Sequence, residues 1–335
     1  MCSCIINPLD IRLSNKKRIG YIIKIAVILL LFGAIWYKVA NNHNLEDIKN
    51  LFLTTFNSNS GKAYLGIALL LMPLNWLIES RKWQILIKKL ERISLFYSLQ
   101  AVLAGVTVSV FTPNRIGEYA GRVLLLKHKN RIQAASSTLI SSVGQMVATV
   151  VFGSISFYFY YVHYVSNQAS TWIETYLIML IIVLIITLFI LFISSPTLFG
   201  LLKKIKAFRR FRKYVSFFNR YTAKELIKIL FLSHLRYVVY SSQFFVLLLA
   251  FQVNIDMFTG FMLIPLTFFA MTIIPSVALA ELGIREAVAL TIIGISSDND
   301  LGILGATLVL WAINLVIPSI IGSALIFRSK IFKSK

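Results

Sequence analysis

Hydrophobic and polar residues fall along this chain in long blocks, not in short alternations. A helix needs about 20 consecutive apolar residues to cross a bilayer. Blocks of that size lie at 19–40, 63–80, 132–162, 175–194, 226–250 and 301–326, which predicts about six full transmembrane helices. Two further apolar regions are interrupted: 94–126, broken at Thr112-Pro113-Asn114, and 258–296, broken around Pro275 and again near Gly283. The fold class is therefore an all-α polytopic membrane protein with two interrupted helical hairpins. A single transmembrane domain covers 19–326, between a basic tail over 1–18 and another over 327–335.

Composition strengthens this reading. The chain is 58% hydrophobic and 14% charged, with a mean hydropathy of +0.78. Soluble domains are about 45–50% apolar and about 25% charged, so the composition argues against a soluble enzyme. Its 34 Lys and Arg against 13 Asp and Glu give a net charge of +21. Twenty-six of the basic residues fall in 12–18, 81–92, 127–131, 203–228 and 328–335. The alternate set of loops, 41–62, 163–174, 251–257 and 296–300, holds only Lys49 and Lys62. This asymmetry puts both termini in the cytoplasm and the chain in the inner (plasma) membrane. The block at 19–40 is too long for a cleaved signal core and reads as a retained helix.

Charge also orients the interrupted regions. Segment 94–126 has basic flanks on both sides and must enter and return from the cytoplasm, whereas 258–296 has flanks free of Lys and Arg and must enter and return from outside. The two hairpins are thus oppositely oriented, an arrangement compatible with an inverted repeat. Their second arms, 113–126 and 284–295, would be about 21 and about 18 Å long, short of the about 30 Å hydrocarbon core. Short arms favour re-entrance, and paired interrupted spans point to a transport site near the midplane.

Ionisable residues within apolar spans usually mark function. Lys24 and Glu79 lie near span ends and are read as snorkelling; Arg236, about ten residues into its span, is read the same way. The first hairpin is different. Thr112 is an expected N-cap and Pro113 an expected first helical residue. Arg115, Glu118 and Arg122 would then share one face, with free N–H groups at the helix start forming an anion site. Gly117 and Gly121, one turn apart, would allow close packing. In the second hairpin, Pro275 and Gly283 mark the turn, Glu281 and Arg285 are spaced i, i+4, and Glu286 follows. The competing reading for all these charges is purely structural pairing.

The stretch Lys203, Lys204, Lys206, Arg209, Arg210, Arg212 and Lys213 surrounds an apolar face at spacings of three and four. The segment 201–224 is read as a helix on the membrane surface that meets anionic lipid at the cytoplasmic face. Topology accounts for its charge, so nucleic acid is not an expected partner. Cys2 and Cys4, the only cysteines, are read as free tail thiols, and His43, His128, His163 and His234 are scattered. No metal site, cofactor or catalytic residue set is expected.

The elements Thr112-Pro113-Asn114-Arg115-Ile116-Gly117-Glu118 and Leu282-Gly283-Ile284-Arg285-Glu286-Ala287 resemble those of the transmembrane region of the lysylphosphatidylglycerol synthases and related flippase-like membrane proteins. Glu281 replaces a glycine usual in the second element. The resemblance implies lipid handling: translocation of a phospholipid or lipid-linked substrate with an anionic or zwitterionic head group between leaflets. In that reading Arg115, Arg122 and the hairpin helix start meet the head-group phosphate, while Glu118, Glu281, Arg285 and Glu286 line or gate the cavity. The chain ends nine residues after Ile326, so the synthases' separate soluble aminoacyltransferase domain, and aminoacyl transfer, are not expected. A membrane-embedded transferase acting on a lipid-linked substrate and a non-transporting envelope-complex subunit remain as alternatives.

Overall fold

A computed structural model describes residues 45–110, 112, 115–126, 131–166, 171–202, 219–274 and 278–328, and every regular element among them is helical. The expected span 19–40, the basic residues 203–213, Pro113, Pro275, the tail 1–18 and most of the C-terminal tail lie outside the described residues.

The first element corrects the sequence reading. Residues 41–62 were expected to form a loop, but α1 spans Leu45–Asn57 and α2 starts at Asn59. Phe52 of α1 packs edge-on against Phe251, with ring centroids 5.3 Å apart. The α1 helix is amphipathic and too short for a crossing, which is why a search for apolar blocks passes over it.

Helix α2, Asn59–Ile87, is long enough to cross a bilayer, and Ser58 caps it by accepting the Gly61 N–H at 3.2 Å. The first hairpin follows as α3, Leu95–Val110, and α4, Gly117–Leu124. Next come α5, Arg131–Tyr160, continued by a π-helical turn to Val165, then α6, Thr171–Ile193, and the short α7, Ser195–Leu202. Helix α8, Ala223–Ala250, begins with a capping box in which Thr222 and Glu225 satisfy each other's backbone N–H. The second hairpin is α9, Met257–Ile273, and α10, Ala278–Ile293. Asp256 caps α9 by accepting from the N–H groups of Phe258 and Thr259. The last span is α11, Asp300–Trp311, a π-helical turn over Ala312–Val316, and α12, Ile317–Arg328.

By length and composition, four described segments can cross a membrane: 59–87, 133–165, 171–193 and 300–327. The α8 helix has 28 residues, but Lys224, Glu225, Lys228 and Arg236 reduce its apolar character. The protein is a multi-pass membrane protein.

Helices α2 and α8 form the central pair, with α5 against both. Lipid tails are as apolar as leucine, so burial alone does not drive helices together in a bilayer; tight fit and hydrogen bonds do. At the centre Gln243 donates to the Ala68 carbonyl at 2.7 Å, and the fully buried Trp83 donates to Thr138 at 3.3 Å. By contrast, α6 buries only Ile181 and Phe192 and exposes leucines and isoleucines around its circumference, as a peripheral lipid-facing helix does.

Both interrupted regions fold as packed helical pairs. Helix α3 has 16 residues and α4 has 8, while α9 has 17 and α10 has 16. At about 1.5 Å per residue none reaches about 30 Å. A Cβ on Gly121 would lie 2.6 Å from the Ala104 carbonyl and from the Gly105 Cα, so only a glycine lets the two arms approach this closely. Helices α3 and α10 touch, bringing the two hairpins together.

Candidate functional site

The Glu79 carboxylate on α2 gathers several donors. One oxygen accepts from Arg122 of α4 at 2.8 Å and from Ser141 of α5 at 3.0 Å. The other meets Lys82 and Arg236 of α8, each at 2.9 Å. Glu118 also pairs with Arg122. Lys82 is fully buried and reaches Ser233 at 3.3 Å. Four helices therefore converge on one carboxylate. This corrects the snorkelling reading: Glu79 is 2% exposed, and both it and Arg236 point into the bundle. It also removes Lys82 from the cytoplasmic loop charges. A carboxylate in low dielectric needs this many donors to offset its lost hydration.

From Arg236 a chain of side-chain hydrogen bonds continues. Its Nε donates to Asn75 at 3.0 Å, Asn75 donates to Asn314 at 3.0 Å, and Asn314 donates to Gln243 at 2.8 Å. Asn314 sits in the π-helical turn of the last span and also donates to the Leu310 carbonyl at 3.1 Å. The wider turn lets one amide serve both partners, and π turns often mark functional sites.

Beside this chain lies a cavity of about 310 Å3. Arg115 of the first hairpin, Arg285 of the second and Arg236 of α8 line it, with Asn75, Gln145 and Asn314. Among the described lining residues there is no Asp or Glu. Arg236 is held over the Trp76 ring at 5.4 Å, and Arg285 donates to the Tyr240 hydroxyl. Three guanidinium groups on one wall suit an anion such as phosphate. Tyr237 lines this cavity and also an apolar groove of about 450 Å3 walled by Phe152, Phe245, Phe258 and Phe261.

The expected site residues divide among these features. Arg115 and Arg285 come together on the cavity wall. Arg122 is not among the lining residues; it is 1% exposed and bound to Glu79 and Glu118. The expected helix start at Pro113 is corrected: α4 begins at Gly117, and Arg115 precedes it with φ 55°, a left-handed conformation uncommon outside glycine. Arg115 therefore does not share a helical face with Glu118 and Arg122.

The expected free N–H groups are corrected as well. Gly117 donates to the Thr112 hydroxyl at 2.7 Å, Glu118 to the Arg115 carbonyl at 3.0 Å and Tyr119 to the Ile116 carbonyl at 3.1 Å. Thr112 thus serves the helix start from five residues away, and guanidinium groups, not amides, supply the positive wall. The expected break near Gly283 is corrected: α10 runs unbroken over Ala278–Ile293 with Gly283 buried inside it and Glu286 half-buried, while the Glu281 side chain lies outside the described residues. Sequence reasoning missed Asn75, Gln145, Gln243 and Asn314 because it weighed charges only. Amides within apolar blocks were the available signal.

No curated protein matches the chain. Residues 21–322 match the family described as the lysylphosphatidylglycerol synthase TM region. That match covers most of the sequence and includes both hairpins and every residue of the hub and the cavity wall. The chain belongs to the lysylphosphatidylglycerol synthase TM region family, membrane proteins of lipid-related processes.

Proposed function

We propose that this protein moves a phospholipid or lipid-linked substrate with a phosphate-bearing head group between leaflets. The observation that carries this reading is the juxtaposition of Arg115, Arg236 and Arg285 around one cavity that shares Tyr237 with an apolar groove. The head-group phosphate sits among the three guanidinium groups while the acyl chains stay in the groove and the bilayer. The short arms of both hairpins support re-entrance from opposite faces, and their contact through α3 and α10 supports alternate exposure of the cavity. The positive-inside asymmetry supports an inner-membrane location with cytoplasmic termini.

The test is reconstitution of the full chain into vesicles carrying fluorescent phosphatidylglycerol or lysylphosphatidylglycerol in one leaflet. Faster loss of leaflet asymmetry than in empty vesicles, with the lipid chemically unchanged, is the expected result. Covalent change of the lipid would favour a transferase, and absence of both would favour a structural subunit.

A further inference from the structure

A second recess, sharing no lining residue with the arginine-lined cavity, lies where α2 ends against the start of α8, with a volume of about 650 Å3. Arg81, Lys88, Arg92 and Lys228 line it. Glu225 is the one carboxylate among its described lining residues, and it is already engaged: one oxygen lies 2.8 Å from Lys89 and the other accepts the Thr222 N–H at 2.9 Å. Arg81 is steadied by donating to Gln84 at 2.6 Å, and Gln84 donates to the Ile93 carbonyl at 2.8 Å. The positive-inside rule explains basic residues at this end of the molecule. It does not explain why four converge on a concavity, where like charges repel unless an anion joins them.

The remaining wall is apolar and continues outward. Phe231, 66% exposed, lines the recess. From it Leu235 and Val238 follow at spacings of four and three on the exposed face of α8, and Val238 lines the apolar groove. The distance along the helix from Phe231 to Val238 is about 10 Å. A cationic recess with an apolar stripe leaving it along a helix matches one ligand class, an acyl chain carrying an anionic head.

We propose that this recess is a binding site for an anionic phospholipid, separate from the translocation cavity: its phosphate lies among Arg81, Lys88, Arg92 and Lys228, and one acyl chain lies along Phe231, Leu235 and Val238. The bound lipid bridges the end of α2 to α8. Placing it in the cytoplasmic leaflet rests on the positive-inside reading, whereas the charge match does not, and neither depends on transport.

Native mass spectrometry of the purified full chain, delipidated and then offered phosphatidylglycerol or phosphatidylcholine, tests the site. Each cation removed near a membrane surface weakens anionic lipid binding about fivefold. Lys88→Gln/Arg92→Gln should therefore retain phosphatidylglycerol about thirtyfold less well, with thermal stability unchanged because both residues are exposed. Phe231→Ala should also lower retention. The control Lys49→Gln/Lys62→Gln, of equal charge change at exposed positions elsewhere, should retain the lipid like the wild type. Equal retention by the Lys88/Arg92 variant, equal loss in the control, or equal retention of phosphatidylcholine overturns the proposal. Displacement of the lipid by millimolar inorganic phosphate also overturns it, by showing a site for free anions.

Discussion

Glu79 and Arg236 meet at 2.9 Å, and Arg236 also forms part of the cavity wall, so the buried charge hub and the arginine-lined cavity share a side chain. An anion bound in the cavity would compete with Glu79 for that guanidinium, and Lys82, Arg122 and Ser141 would remain on the Glu79 carboxylate.

Glu79→Gln is expected to destabilise the fold by about 3–5 kcal/mol, the range for removing one partner of a buried ion pair. The change leaves Lys82, Arg122 and Arg236 converging on a neutral amide. Thermal unfolding of the purified protein measures it. Combining Glu79→Gln with Lys82→Met should recover part of the loss, because one of the stranded cations is removed with its partner.

Arg236→Lys keeps the charge but loses the geometry. One ammonium cannot bridge Glu79 and Asn75 while lying over Trp76 as the planar guanidinium does. Transport in vesicles is expected to fall at least tenfold, with a smaller effect on stability than Glu79→Gln because the Arg236 side chain is 21% exposed.

Gly121→Val would drive a side chain into the Ala104 carbonyl and the Gly105 backbone. Separation of α3 from α4 should cost about 1–3 kcal/mol, as overpacking does. It should also loosen the Glu118–Arg122 pair. Thermal unfolding and faster amide exchange in α4 report the two effects.

The Asp256 cap gives a pH dependence. The bond from the Thr259 hydroxyl, joined by the Phe258 and Thr259 amides, holds its carboxyl below the usual carboxylate range. A lowered folded-state pKa stabilises the native form above the ordinary Asp value and loses that contribution as pH falls through the lowered one. The protection of the Phe258 and Thr259 amides, relative to their intrinsic exchange rates, should fall in that acidic window. In Asp256→Asn the cap remains and this loss of protection should disappear.

The block pattern of the sequence discloses the long helices because a bilayer demands continuous apolar length. It also places the breaks near Pro113 and Pro275, which interrupt otherwise apolar runs, but the further break expected near Gly283 is absent, because one glycine does not stop the helix Ala278–Ile293. The site was less legible. Arg115 and Arg285 stand out as charges that topology does not explain, and both line the cavity. Glu79 does not stand out, because distance from a span end says nothing about which way a side chain turns; only packing shows that four helices aim donors at it. The left-handed backbone of Arg115 and the Thr112–Gly117 bond likewise depend on how the hairpin closes. The amide chain from Asn75 to Gln243 requires partners up to 239 residues apart in sequence, which no local spacing encodes.

Head-group binding at the arginine wall is tested by lipid translocation with Arg115→Gln and Arg285→Gln in reconstituted vesicles, alongside the wild type and at matched thermal stability. Both arginines face the cavity from different hairpins, and neither belongs to the Glu79 hub. Translocation by the wild type and a loss of at least tenfold in each variant are expected. Wild-type translocation that both folded variants sustain at the same rate would contradict head-group binding at that wall.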